Sequence, residues 1–165
     1  MKFFVEAVPA RTPKTREVKQ VAYLYAAILV VFVLAQLFTF DDFLRLVTSF
    51  YIPGGKAASY FLASLIVSAE VLALPFLLGM SASPLMRIIS MVLGWIVPAI
   101  WIFFAVWLNV TINAVLNIGY LGTVVNLMPG WWAVCFGVAM AILAAWASWG
   151  MWPFDTPRKA VTKVN

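Results

Sequence analysis

Polar side chains are scarce along this chain, and the apolar stretches between them mark out its elements. Residues 21–38, 57–78, 85–108 and 131–152 carry almost nothing but apolar and aromatic side chains. Each stretch is about 20 residues long, enough for a helix to cross the hydrocarbon core of a bilayer. The segment after the first stretch has a different pattern. Phe43, Leu46, Val47 and Phe50 fall at i, i+3, i+4 and i+7, one apolar stripe among polar neighbours. This predicts a short amphipathic helix at the mouth of a bundle, capped by Asp41 or Asp42 and ended by Tyr51-Ile52-Pro53-Gly54-Gly55. Gly79–Pro84 reads as a tight turn, with Ser83 as cap and Pro84 at the first helical position. The expected fold class is therefore all-α: an up-down four-helix transmembrane bundle with a short external amphipathic helix between helices 1 and 2. Residues 21–152 form the membrane domain, and 1–20 and 153–165 are cytoplasmic tails.

The exceptions to apolarity carry the candidate chemistry. Glu70 stands inside the second span, and Pro75 follows it. A carboxyl group inside a bilayer costs from about 2.5 kcal/mol upward, so it must face protein rather than lipid. Pro75 cannot donate to the Val71 carbonyl and is expected to kink the helix beside Glu70. Glu70 lies roughly 20 Å along its helix from Ala57. The same depth on the other spans reaches Tyr25, Trp95 and Ala144, so Tyr25 and Trp95 are the expected hydrogen-bond donors. Arg87 lies lower and could snorkel part of the way. Glu70 then either ties helices together through hydrogen bonds or handles a proton, a quinone-like group or a partner.

Two further patterns repeat at four-residue spacing. Asn109, Asn113 and Asn117 predict a polar outer stripe on a helical continuation of the third span, either facing water and headgroups or lining the space above the bundle core. Ala133, Gly137, Ala141 and Ala145 repeat at the same spacing in the fourth span. Such ladders let helix backbones approach closely, within the chain or between copies in a homo-oligomer.

Composition narrows the function classes. The chain has 165 residues, 65% hydrophobic and 10% charged, which leaves no material for a soluble domain. The net charge of +5 does not indicate nucleic acid, because the basic residues flank the apolar spans. Nine of the 11 Lys and Arg fall in the two tails and the 79–87 turn; only Arg45 and Lys56 fall elsewhere. By the positive-inside rule both termini are cytoplasmic, in a multi-pass cell-membrane protein whose first partner is the lipid bilayer. There is no His and one Cys, so no thiolate metal cluster and no intrachain dithiol can form. Cys135 sits in an apolar setting that keeps a thiol inert. The sequence names no catalytic residue and requires no cofactor.

Several short motifs resemble the DoxX/MauE family of four-helix bacterial membrane proteins, over roughly residues 24–108. They are Phe40-Asp41-Asp42-Phe43, Tyr51-Ile52-Pro53, Ala69-Glu70-Val71-Leu72-Ala73, Leu78-Gly79, and Arg87 at the start of helix 3. The resemblance implies a redox-associated accessory protein that handles electrons or thiols for an extracytoplasmic partner such as a thioredoxin-like protein, with quinone as a candidate cofactor. Glu70, Gly79 and Arg87 are the positions it carries over. Gln36-Leu37 stands where the family often has Gly-Lys, and a dithiol pathway would need a partner's thiols. The alternative is a non-redox structural or assembly subunit of a membrane complex.

Overall fold

A computed structural model describes residues 7, 13–111 and 115–152. It is all-α, with α1 Arg16–Phe38, α2 Phe40–Thr48, α3 Gly55–Leu77, α4 Pro84–Thr111 and α5 Trp131–Gly150. α1, α3, α4 and α5 are each long and apolar enough to cross a membrane. They form a ring in which α3 packs on α1 and α4, and α5 packs on α4 and α1. The chain is thus a four-span integral membrane protein with up-down connectivity. At the terminal side the Lys14 N–H donates to the Gly150 carbonyl at 3.2 Å, joining the entry to α1 with the end of α5.

Local chemistry sets the helix ends. Thr15 Oγ1 accepts from the Val18 N–H at 3.3 Å and caps α1. Ser83 Oγ accepts from the Met86 N–H at 3.2 Å, with Pro84 opening α4, as the turn pattern predicts. Gly79 closes α3 at φ +65°: Met80 N–H donates to the Pro75 carbonyl at 2.9 Å and Gly79 N–H to Phe76 at 3.1 Å. That is a Schellman end, which needs a left-handed residue, so Gly79 has a backbone reason to be glycine. Asp41 and Asp42 do not cap α2. Thr39 occupies the cap position, and the two carboxylates sit in the first turn, where the helix dipole favours them. The predicted stripe of α2 holds: Phe43, Val47 and Phe50 are buried and Leu46 is partly so, with α2 laid mainly on α3.

Both interior prolines leave a carbonyl without its usual donor, and the bundle treats their surroundings differently. Pro98 cannot donate to Gly94, and the Tyr25 hydroxyl donates to that carbonyl at 2.7 Å. Beside Pro75, Ser90 Oγ enters the hydrogen-bond ladder of α3. It accepts from the Phe76 N–H at 3.0 Å and donates to the Leu72 carbonyl at 2.6 Å, bridging a pair that an unbroken helix would bond directly.

The small residues of α5 pack within the chain, but not as a strict ladder. Ala133 and Gly137 are buried, whereas Ala141 and Ala145 are only half-buried. The buried face runs Ala133, Gly137, Met140, Ala144, Ala147. Four-residue steps overshoot a 3.6-residue turn by about 40° each, so the predicted ladder rotates off the contact. A Cβ on Gly137 would lie 2.7 Å from Ile102 Cγ1 and 3.5 Å from the Ile102 backbone, so α4 and α5 touch there nearly backbone to backbone.

Asn117 does not lie on a helical continuation of α4. Within α4, Thr111 Oγ1 and Asn109 Nδ2 donate back to the carbonyls of Trp107 and Ala105. Asn113 lies outside the described residues. Asn117 is buried in a loop that it organises. Its Nδ2 donates to Gly122 O at 2.9 Å and to Asn126 Oδ1 at 3.3 Å, while its Oδ1 accepts from Gly119 N and Leu127 N. Asn side chains compete for backbone groups in this way, which is why they favour loops over helix interiors. The loop dips into the bundle mouth with Ile118 and Tyr120 buried, and Gly122 passes so close to α1 that a Cβ would meet Thr39 Oγ1 at 2.6 Å.

Candidate functional site

Glu70 is fully buried and lies where α1, α3, α4 and the 115–127 loop meet. Its Oε1 accepts from the Trp101 indole N–H at 3.0 Å and from Gln36 Nε2 at 3.4 Å. Gln36 Nε2 also donates to the Tyr120 carbonyl at 3.2 Å, which fastens the loop over the carboxyl group. Aromatic rings enclose the node. Trp101 and Tyr120 have centroids 4.5 Å apart, and Phe32 lies 5.3 Å from Tyr120 and 6.2 Å from Trp101. The Tyr120 hydroxyl donates to the Ala133 carbonyl at 2.8 Å, and burial pushes this phenol above its ordinary range, so it stays a donor.

The expected interior position of Glu70 is therefore found, but its expected partners are not. Tyr25 is occupied by the Gly94 carbonyl. Trp95 donates to Ser148 Oγ at 3.0 Å, on the α4–α5 contact. Arg87 is half-buried in the first turn of α4, roughly 21 Å along that helix from Trp101. Side-chain direction contributes to this. Cα–Cβ bonds tilt toward the N-terminus of their own helix. α3 runs opposite to α1 and α4, so Glu70 leans toward the loop side while donors on α1 and α4 lean toward the terminal side. Partners must therefore come from residues nearer the loop side than equal depth suggests, and these are Gln36 and Trp101. One signal in the sequence pointed to Gln36: a single strongly polar side chain in an apolar span needs a buried partner.

Trp95, Trp101 and Trp107 are spaced by six and point three ways, each donating its indole N–H to a different element: Ser148 on α5, Glu70 on α3 and the Phe50 carbonyl after α2. Cys135 is exposed on α5. On the loop side a cleft of about 460 Å³ opens between α2 and the loop, lined by Leu46, Tyr51, Asn117 and Asn126 among others. Tyr51 is 78% exposed there and held at φ +50°.

Bundle and node together define a four-span membrane protein with one sealed carboxyl group at a four-way junction. No family model, no curated protein and no solved structure matches the chain.

Proposed function

We propose that this protein is a membrane-embedded accessory subunit of the DoxX/MauE kind, working beside an extracytoplasmic partner that carries the redox groups. The observation that supports an accessory role is the separation of its two reactive side chains. Cys135 is exposed on α5, while Glu70 is sealed inside the bundle. One thiol cannot make an intrachain disulfide, so any dithiol exchange needs a partner's thiols. The redox half of the reading rests on the motif resemblance around Glu70, Gly79 and Arg87.

A second reading, a non-redox assembly subunit, is favoured by the way Glu70 joins three helices and a loop. Mild-detergent purification from native membranes separates the two. Stoichiometric recovery of a thioredoxin-like protein or of bound quinone supports the redox role; a stoichiometric complex without redox groups supports the second. The Lys and Arg distribution supports a topology with both termini in the cytoplasm. Maleimide labelling of Lys14→Cys and Thr123→Cys, each in a Cys135→Ser background, should reach position 14 only from the cytoplasmic side and position 123 only from outside.

A further inference from the structure

Hydrogen-bond arithmetic at the Glu70 node leaves two atoms over. Gln36 Nε2 carries two hydrogens, and they meet two acceptors, Glu70 Oε1 at 3.4 Å and the Tyr120 carbonyl at 3.2 Å. This fixes the amide's orientation, since the flipped amide would set an oxygen against both of those oxygens. What remains is Gln36 Oε1 and Glu70 Oε2, both buried and both without a partner. An amide oxygen can only accept, and so can an ionised carboxylate. Two stranded acceptors on two groups already in contact through their other atoms call for one donor hydrogen between them.

Among the described residues, no cationic side chain bonds to the pair. The bonded neighbours of Glu70 are an indole and an amide. On the packed helices the other charged residues stand at helix ends: Arg16, Glu17 and Lys19 on α1, Lys56 on α3 and Arg87 on α4, with none on α5. On α2, Arg45 and Asp42 pair with each other at 3.7 Å on the exposed face, and Asp41 is also exposed. The Tyr25 hydroxyl has given its hydrogen to Gly94.

We propose that Glu70 and Gln36 form a proton-binding pair. Glu70 is held as the neutral acid, its Oε2–H donating to Gln36 Oε1 while Gln36 Nε2–H donates to Glu70 Oε1. One proton satisfies both stranded acceptors and closes the two-bond ring that a carboxylic acid makes with a primary amide. The ligand is H⁺ itself, in a position that the Tyr120 segment covers.

Infrared spectroscopy of the full chain in detergent at neutral pH tests this. The expected result is a protonated-carboxyl carbonyl band that moves with ¹³C-glutamate labelling and not with ¹³C-aspartate. It should be lost in Glu70→Gln and displaced in Gln36→Leu. Absence of the band from folded wild-type protein overturns the proposal. A band unmoved by Gln36→Leu overturns the pairing. The thermal midpoint gives a second readout. Glu70→Gln can close the same ring with two N–H donors, so it should melt with wild type. A carboxylate band whose protein melts higher with added sodium would instead show an ionised site holding a cation.

Discussion

The terminal-side and loop-side halves of the bundle use polar groups in opposite ways. In the terminal-side half, polar side chains serve backbones and one another. Ser90 bridges the ladder of α3, Tyr25 answers the carbonyl freed by Pro98, and Ser148 accepts from Trp95. Each is a local repair, and each donor finds one acceptor. In the loop-side half, a side-chain network joins distant elements, and two acceptors are left without protein donors. Repairs make helices with prolines stable in a bundle. An incomplete network leaves room for a proton. The contrast teaches that burial of a polar side chain does not by itself mark a site; the unfilled valence of the network does.

Substitutions can break or sharpen this contrast. Glu70→Ala should have the largest effect, destabilising by about 4 kcal/mol, because it strands the Trp101 and Gln36 donors and opens a cavity among packed rings. The thermal midpoint in detergent measures it, and a near-wild-type midpoint would mean the node contributes little. Gly137→Leu should cost about 3 kcal/mol by forcing α4 and α5 apart at Ile102. An unchanged midpoint would place that face against lipid. On the repair side, Ser90→Ala strands an N–H and a carbonyl at once and should cost about 2 kcal/mol, against about 1 kcal/mol for Tyr25→Phe, which strands a single carbonyl. Equal losses in denaturant titration would undo the one-repair-per-orphan account. Cys135→Ser, on an exposed face outside both systems, should change stability by less than about 0.5 kcal/mol and leave any partner-dependent phenotype intact. A mixed disulfide trapped on Cys135 would contradict that.

Much of the fold was legible because hydrophobic runs of membrane length admit few structures. Ser83-Pro84 announced the start of α4, and the Phe43–Phe50 stripe announced α2. Spacing arguments failed where they needed more than a count. Asn109 and Asn117 share a helix face only if the helix runs through to 117, and Asn117 instead organises a loop. Ala141 and Ala145 drift off the α5 contact because helices do not repeat every four residues. Tyr25 and Trp95 were matched to Glu70 by a count along the helices, and both bond elsewhere.

The sequence alone determined that this protein spans a membrane four times and that Glu70 must be turned away from lipid, because bilayer thickness and the cost of a buried carboxyl group act on any chain of this pattern. Only the tertiary structure decided which side chains meet that carboxyl group. Helix polarity, side-chain tilt and the descent of the 115–127 loop bring Gln36, Trp101 and Tyr120 to it from positions 34, 31 and 50 residues away along the chain, and no periodicity within one helix encodes such a meeting.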